Sequence, residues 1–193
     1  MSVANEQLRD ETLRKIGRNV VNFQRLEAAL KAVVLSTSAG GATIEEVHTH
    51  LAARAKSLKK RPLGDIAETF HNSIFKDEDP PVPPANASLP WVSTSFQFEI
   101  DPIEAKERKR KLLALVAERN RLIHSDLINF DPNSAESCTR LTALLDEQNP
   151  RILEQLDAVK EIRDVYRTFL KELLEYVNSD EYLAFLKREM HGT

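Results

Sequence analysis

The stretch AERNRLIHSDL, residues 117 to 127, places Arg119, Asn120 and His124 on what is patterned as the packing side of a helix. An imidazole can work as general acid or base near neutral pH, which makes His124 a candidate proton carrier. Arg119 offers a planar, permanently charged fork that suits phosphate oxygens. Asn120 stands one helical turn before His124, where its amide can fix the imidazole tautomer.

An ideal helical wheel at about 100° per residue, with Leu112 as zero, places Ile123, Val116 and Leu127 within about 60° of it. Arg119 falls at about 340°, inside that stripe, with Asn120 near 80° and His124 near 120°. An unpaired buried guanidinium costs several kcal/mol, so Arg119 needs an acidic partner, a wet cleft or an interface. Glu27, which interrupts the apolar stripe of the first helix between Phe23 and Leu30, is the candidate structural partner.

The elements that must carry these residues are helices. The chain has only five glycines and is 41% hydrophobic across 193 residues, enough for one sizeable core. Apolar residues from Leu13 through Ile16, Val20, Phe23, Leu26, Leu30 and Val33 to Val34 predict one long helix over 5–36, ended by Ala39-Gly40-Gly41. Thr43 and Glu46 are spaced as a capping box for a second helix, with Ile44, Val47, Leu51 and Leu58 inward. A third follows Pro62 and carries Leu63, Ile66, Phe70 and Ile74. Residues 77–95 read as a proline-rich surface excursion, and FQFEI, residues 96–100, as a candidate short strand. Asp101-Pro102 opens the helix that holds the 117–127 stretch. Leu141, Leu144 and Leu145 mark another helix, Asn149-Pro150 begins a long one, and Asn178 or Ser179 caps a last short one containing Tyr182, Phe185 and Leu186. The aromatics on these last two helices are core by spacing. The expectation is an all-α bundle of about five to six helices in a single domain spanning 1–193.

With 27 Lys+Arg against 30 Asp+Glu, the net charge of -3 provides no overall attraction to nucleic acid or anionic membrane, so any such contact must be local. The single cysteine, Cys138, excludes an internal disulfide framework. No apolar run approaches the roughly 20 residues that span a bilayer. The polar N-terminus lacks the pattern of a secretory signal, so a cytoplasmic location is expected.

Arg119-Asn120-Arg121-Leu122-Ile123-His124 resembles the R-N-x-x-x-H motif of the HEPN family, and the late helix of an all-helical chain is similar to that family's bundle. The resemblance implies a metal-independent endoribonuclease without a cofactor, often a toxin or defence element, acting as a homodimer with the two motifs facing across the two-fold. It implies catalytic roles for Arg119, Asn120 and His124, an RNA substrate, and an antitoxin or regulatory protein as a further partner. Cleavage of single-stranded RNA through its own 2'-hydroxyl needs a base, an acid for the leaving 5'-oxygen and positive donors at phosphorus. One departure stands out: the family branch controlled by nucleotidylation carries a tyrosine two residues after the histidine, and this chain has Asp126 there. That carboxylate is placed to hold His124 protonated or to cap the helix end.

Other residues compete for a role. Arg108, Lys109, Arg110 and Lys111, with Lys106, lie roughly 15 Å before Arg119 on one helix and suit an RNA backbone or a solvated helix start equally. His48 and His50 diverge on a helix and cannot share a metal. His71 reads as a helix-surface residue, Cys138 as a small core residue, and Trp91 as a pin for the excursion or a base-stacking platform. The alternative to a ribonuclease is a catalytically inactive helical dimerisation or protein-interaction module in which Arg119 and Glu27 form a buried pair.

Overall fold

The computed structural model describes residues 3–75 and 92–182, with 184 and 188. The fold is all-α. Its helices are α1 (Val3–Ser36), α2 (Ile44–Lys59), α3 (Leu63–Phe75), α4 (Pro102–Arg121) and α5 (Ala135–Val177), with a π-turn over Leu122–Asp126. One two-stranded antiparallel ribbon, β1 (Ser38–Gly41) with β2 (Val92–Ser95), accompanies them. The chain divides into two compact units, Met1–Val159 and Lys160–Thr193. No helix among the described residues is long and apolar enough to cross a membrane.

α1 buries Phe23, Leu26, Leu30, Val33 and Val34 in its second half, as its spacing predicts. Its first half differs. Leu13 is 48% exposed, and the inward positions there are Thr12, Asn19 and Asn22, which meet α5 through a polar seam. Thr12 Oγ1 is 2.9 Å from Thr142 Oγ1, and Asn19 Nδ2 donates to the Leu145 carbonyl at 2.9 Å and to Gln148 Oε1 at 3.1 Å. Asn22 Nδ2 donates to Asn149 Oδ1 at 2.9 Å. A leucine stripe was the wrong guide here because these amides satisfy one another and a backbone carbonyl, which removes the usual penalty for burying them.

The same seam explains a second difference. Asn149-Pro150 reads as a helix start, yet α5 runs through it with Pro150 inside. Proline removes one backbone donor and its ring crowds the preceding turn. Side chains supply donors to that turn: Asn19 and Arg18 both reach the Leu145 carbonyl, and Arg151 Nε donates to the Glu147 carbonyl at 3.2 Å.

β1 takes up the residues expected merely to end α1. A Cβ on Gly41 would stand 2.8 Å from Val47 Cγ2 and 2.9 Å from Val47 N, so only glycine lets α2 start this close to the ribbon. The strand expected at 96–100 forms instead at 92–95. The following segment is held by Phe96 N–H donating to the Thr37 carbonyl and Phe98 N–H to the Ile74 carbonyl, both at 2.8 Å. The rest of the proline-rich excursion, residues 77–91 including Trp91, lies outside the described residues, as do Phe185 and Leu186.

Thr43 caps α2 by accepting from Glu46 N–H at 3.2 Å, and the Glu46 carboxylate accepts from Ala42 N–H at 2.8 Å. The inward stripe expected for α2 is absent, however: Ile44 is exposed and Leu58 is the one buried residue of the helix. α3 buries Leu63, Ile66, Phe70 and Ile74 as expected. His71 is buried rather than on the surface. Its Nε2 donates to the Ala105 carbonyl in the first turn of α4 at 3.0 Å, and its ring lies 5.6 Å from that of Phe75. Cys138 is buried, as expected.

In the unit Lys160–Thr193, the aromatics depart from the core role their spacing predicts. Phe169 and Tyr176 are exposed, with Tyr176 tilted against Tyr182 at 5.4 Å. Ser179 Oγ accepts from Tyr182 N–H at 3.2 Å where helical turns resume.

Candidate active site at the end of α4

Asp101 caps α4, its carboxylate accepting from Ile103 and Glu104 N–H at 2.8 and 3.2 Å, with Pro102 in the first turn. Ala105, Leu112, Leu115 and Val116 pack inward, so the helix is fixed along its length before it reaches Arg119. Beyond Arg121 the hydrogen-bond pattern widens. Leu127 N–H donates to the Leu122 carbonyl at 2.9 Å, five residues back, which defines the π-turn.

That turn changes the geometry drawn from an ideal wheel. Residues in it rotate by less than the roughly 100° of an α-helix, so His124 swings back toward the azimuth of Asn120. Leu122 is fully buried and anchors the turn, while Asn120 and His124 are both exposed. The histidine and asparagine therefore share an accessible side one turn apart, and neither is sunk in the packing face. π-turns of this kind recur at functional sites, where the inserted residue re-aims a side chain.

Arg119 is half-buried, and its Nη1 donates to Asn120 Oδ1 at 3.2 Å. Glu27 does not reach it. That carboxylate accepts from Lys31 Nζ at 2.6 Å, and among the described residues Arg119 has no acidic partner. The acid preceding Arg119 in sequence, Glu118, is held by Arg151 at 2.5 Å and accepts from Gln148 Nε2 at 3.4 Å. Asp126 lies 3.5 Å from Arg121 Nε. Its partner is thus Arg121, and it neither engages His124 nor caps the turn with a hydrogen bond.

The basic run is neutralised residue by residue. Arg108 pairs with Glu104 at 2.7 Å, Arg110 with Glu107 at 2.7 Å, Lys111 with Glu154 at 3.3 Å, and Lys109 with Glu68. Arg110 holds the Glu107 carboxyl below the usual carboxylate range, and Glu107 in turn raises Arg110. Exposed pairs such as these contribute little to stability, but they commit each of these four cations to a carboxylate.

No known family, curated protein or solved structure matches this chain.

A feature that sequence reasoning missed lies beside the motif. A cleft of about 500 Å³ opens between the end of α4 and the start of α5, with Arg121 and Asp126 on one wall and Ser137, Arg140, Leu141 and Leu144 on the other. Arg119, Asn120 and His124 do not line it. The signal for the second wall was present, since 137, 140, 141 and 144 share one helical face, but Leu141 and Leu144 by themselves mark only a helix. No group of three or more His, Cys, Asp and Glu that could hold a metal ion occurs among the described residues.

Proposed function

We propose that this protein is a HEPN-type endoribonuclease that cleaves single-stranded RNA through 2'-hydroxyl attack, acting as a homodimer. The observation that carries the reading is the state of the three motif residues. Asn120 and His124 are exposed on the side of a π-turn, and among the described residues the Arg119 guanidinium beside them is bound to no carboxylate. A structural arginine would be paired with an acid, and the candidate acid, Glu27, is committed to Lys31.

In this mechanism His124 exchanges a proton with the 2'-hydroxyl or the leaving 5'-oxygen, and Arg119 donates to the non-bridging oxygens as charge builds at phosphorus. Asn120 orients the imidazole while accepting from Arg119, so the three act as one unit. In-line displacement needs a base and an acid on opposite sides of phosphorus, and a second copy of the motif across a two-fold supplies the other. The products are a 2',3'-cyclic phosphate and a 5'-hydroxyl. A toxin or defence setting, with an antitoxin or regulatory partner, follows from the same resemblance.

The test is incubation of purified protein with single-stranded RNA in excess chelator, beside His124→Ala. Cleavage by the wild type alone, ending in cyclic phosphate, is the expected result. Strict dependence on a divalent ion, or equal cleavage by both proteins, overturns the proposal.

A further inference from the structure

We infer that the cleft between the end of α4 and the start of α5 is a subsite for one phosphodiester-linked nucleotide of the RNA strand, with Arg140 as its phosphate-binding residue. The inference rests on the ribonuclease reading above and adds a binding residue that the motif does not contain.

Charge comes first. Arg121, Arg140 and Asp126 sum to a single positive charge in the cleft, which matches the one negative charge of a phosphodiester. Arg140 is exposed and makes no hydrogen bond or ion pair among the described residues. Arg121 meets Asp126 through Nε at 3.5 Å, leaving its two terminal nitrogens to donate elsewhere. Ser137 Oγ accepts from Asp131 N–H at 3.1 Å, so its hydroxyl proton is still available to an anionic oxygen.

An acceptor for a base is also present. Asn129 uses its Nδ2 on the Ser125 carbonyl at 2.8 Å, which leaves its amide oxygen open to the ring N–H or amino group of a base. Phe130 adds an aromatic surface of the kind on which single-stranded bases stack. The volume of about 500 Å³ falls in the range of sites that hold a molecule of nucleotide size.

Continuity with the proposed active site follows from the sequence of the helix end. Arg121 and Asp126 interleave with Arg119, Asn120 and His124 on one segment, so a strand crossing the tip of α4 passes from one side to the other. The scissile phosphate at His124 and the nucleotide in the cleft then belong to the same strand.

The experiment uses the full chain carrying His124→Ala, so that RNA is bound and not cut, with fluorescence anisotropy of a labelled single-stranded oligonucleotide over a series of salt concentrations. Adding Arg140→Gln is expected to weaken binding about tenfold and to reduce the salt slope by about 0.7, the value of one single-strand phosphate contact. Adding Phe130→Ala weakens binding to a similar degree with the slope unchanged, because stacking releases no counterion. Arg110→Gln, in the neutralised run, changes neither. In the chain with His124 intact, Arg140→Gln raises KM and leaves kcat in place. If the protein cleaves RNA but Arg140→Gln alters neither affinity, slope nor KM, the subsite is wrong and the ribonuclease reading stands. If the intact protein neither binds nor cleaves RNA, both fall together. Tight binding of inorganic phosphate or a mononucleotide, undiminished when the oligonucleotide is bound, also overturns the assignment to the strand.

Discussion

Arg119 Nη1 donates to Asn120 Oδ1, the side chain of the very next residue, at 3.2 Å, and among the described residues no carboxylate competes for it. An arginine held only by a neutral amide next to it leaves no orphaned charge when truncated. Arg119→Ala and His124→Ala are therefore expected to abolish cleavage while shifting stability by less than about 1 kcal/mol. Thermal melts beside cleavage assays check this. A loss of about 3 to 5 kcal/mol in Arg119→Ala would mark it as the half of a buried ion pair.

The composite nature of the site has its own test. A covalently tethered dimer carrying His124→Ala in one half is expected to cleave RNA near the rate of the double mutant. Two independent sites would instead retain about half of the wild-type rate.

The polar seam between α1 and α5 predicts a non-additive pair. Asn19→Leu alone leaves Gln148 Oε1 short of a donor, while Arg18 still reaches the Leu145 carbonyl, at a cost of about 1 to 3 kcal/mol. Combined with Gln148→Leu it should cost less than the sum of the two single changes, measured by denaturant unfolding. Strict additivity would show that the buried amides do not act together.

Asp146 gives the seam a pH dependence. Hydrogen bonding from Lys15, at 2.5 Å, and from Arg18 holds its carboxyl below the usual carboxylate range despite some desolvation. A depressed folded-state value means that the stabilisation is present above the unfolded pKa of about 3.9 and is lost as pH falls through the lower folded value. Asp146→Asn should thus be less stable than the wild type at pH 7, and the difference should narrow below about pH 4. A difference that stays constant across that range would remove Asp146 from the acid response.

Local signals in the sequence were read correctly where a few adjacent residues determine the outcome. Thr43 with Glu46, and Asp101 with Pro102, cap their helices because a cap needs only its own turn. α3 followed its stripe because its four apolar residues face one core. The π-turn left no comparable trace: Leu122 to Asp126 has the composition of ordinary helix, and the widening is visible only in the bond from Leu127 to Leu122. Pro150 and the inward face of Thr12, Asn19 and Asn22 depend on one another across the fold, so neither could be inferred from its own neighbourhood. Arg119, Asn120 and His124 stand out in the sequence by type, whereas the cleft beside them leaves no such mark, because its two walls meet only in three dimensions.

The seam also bears on how the chain assembles during synthesis. Asn19 finds its acceptor at Leu145, 126 residues later, so α1 leaves the ribosome long before the surface it completes exists. An apolar face would be sticky through that interval. Thr12, Asn19 and Asn22 instead let the waiting half of the helix remain hydrated, and the order of emergence makes docking of α1 onto α5 a late, loop-closing event in folding.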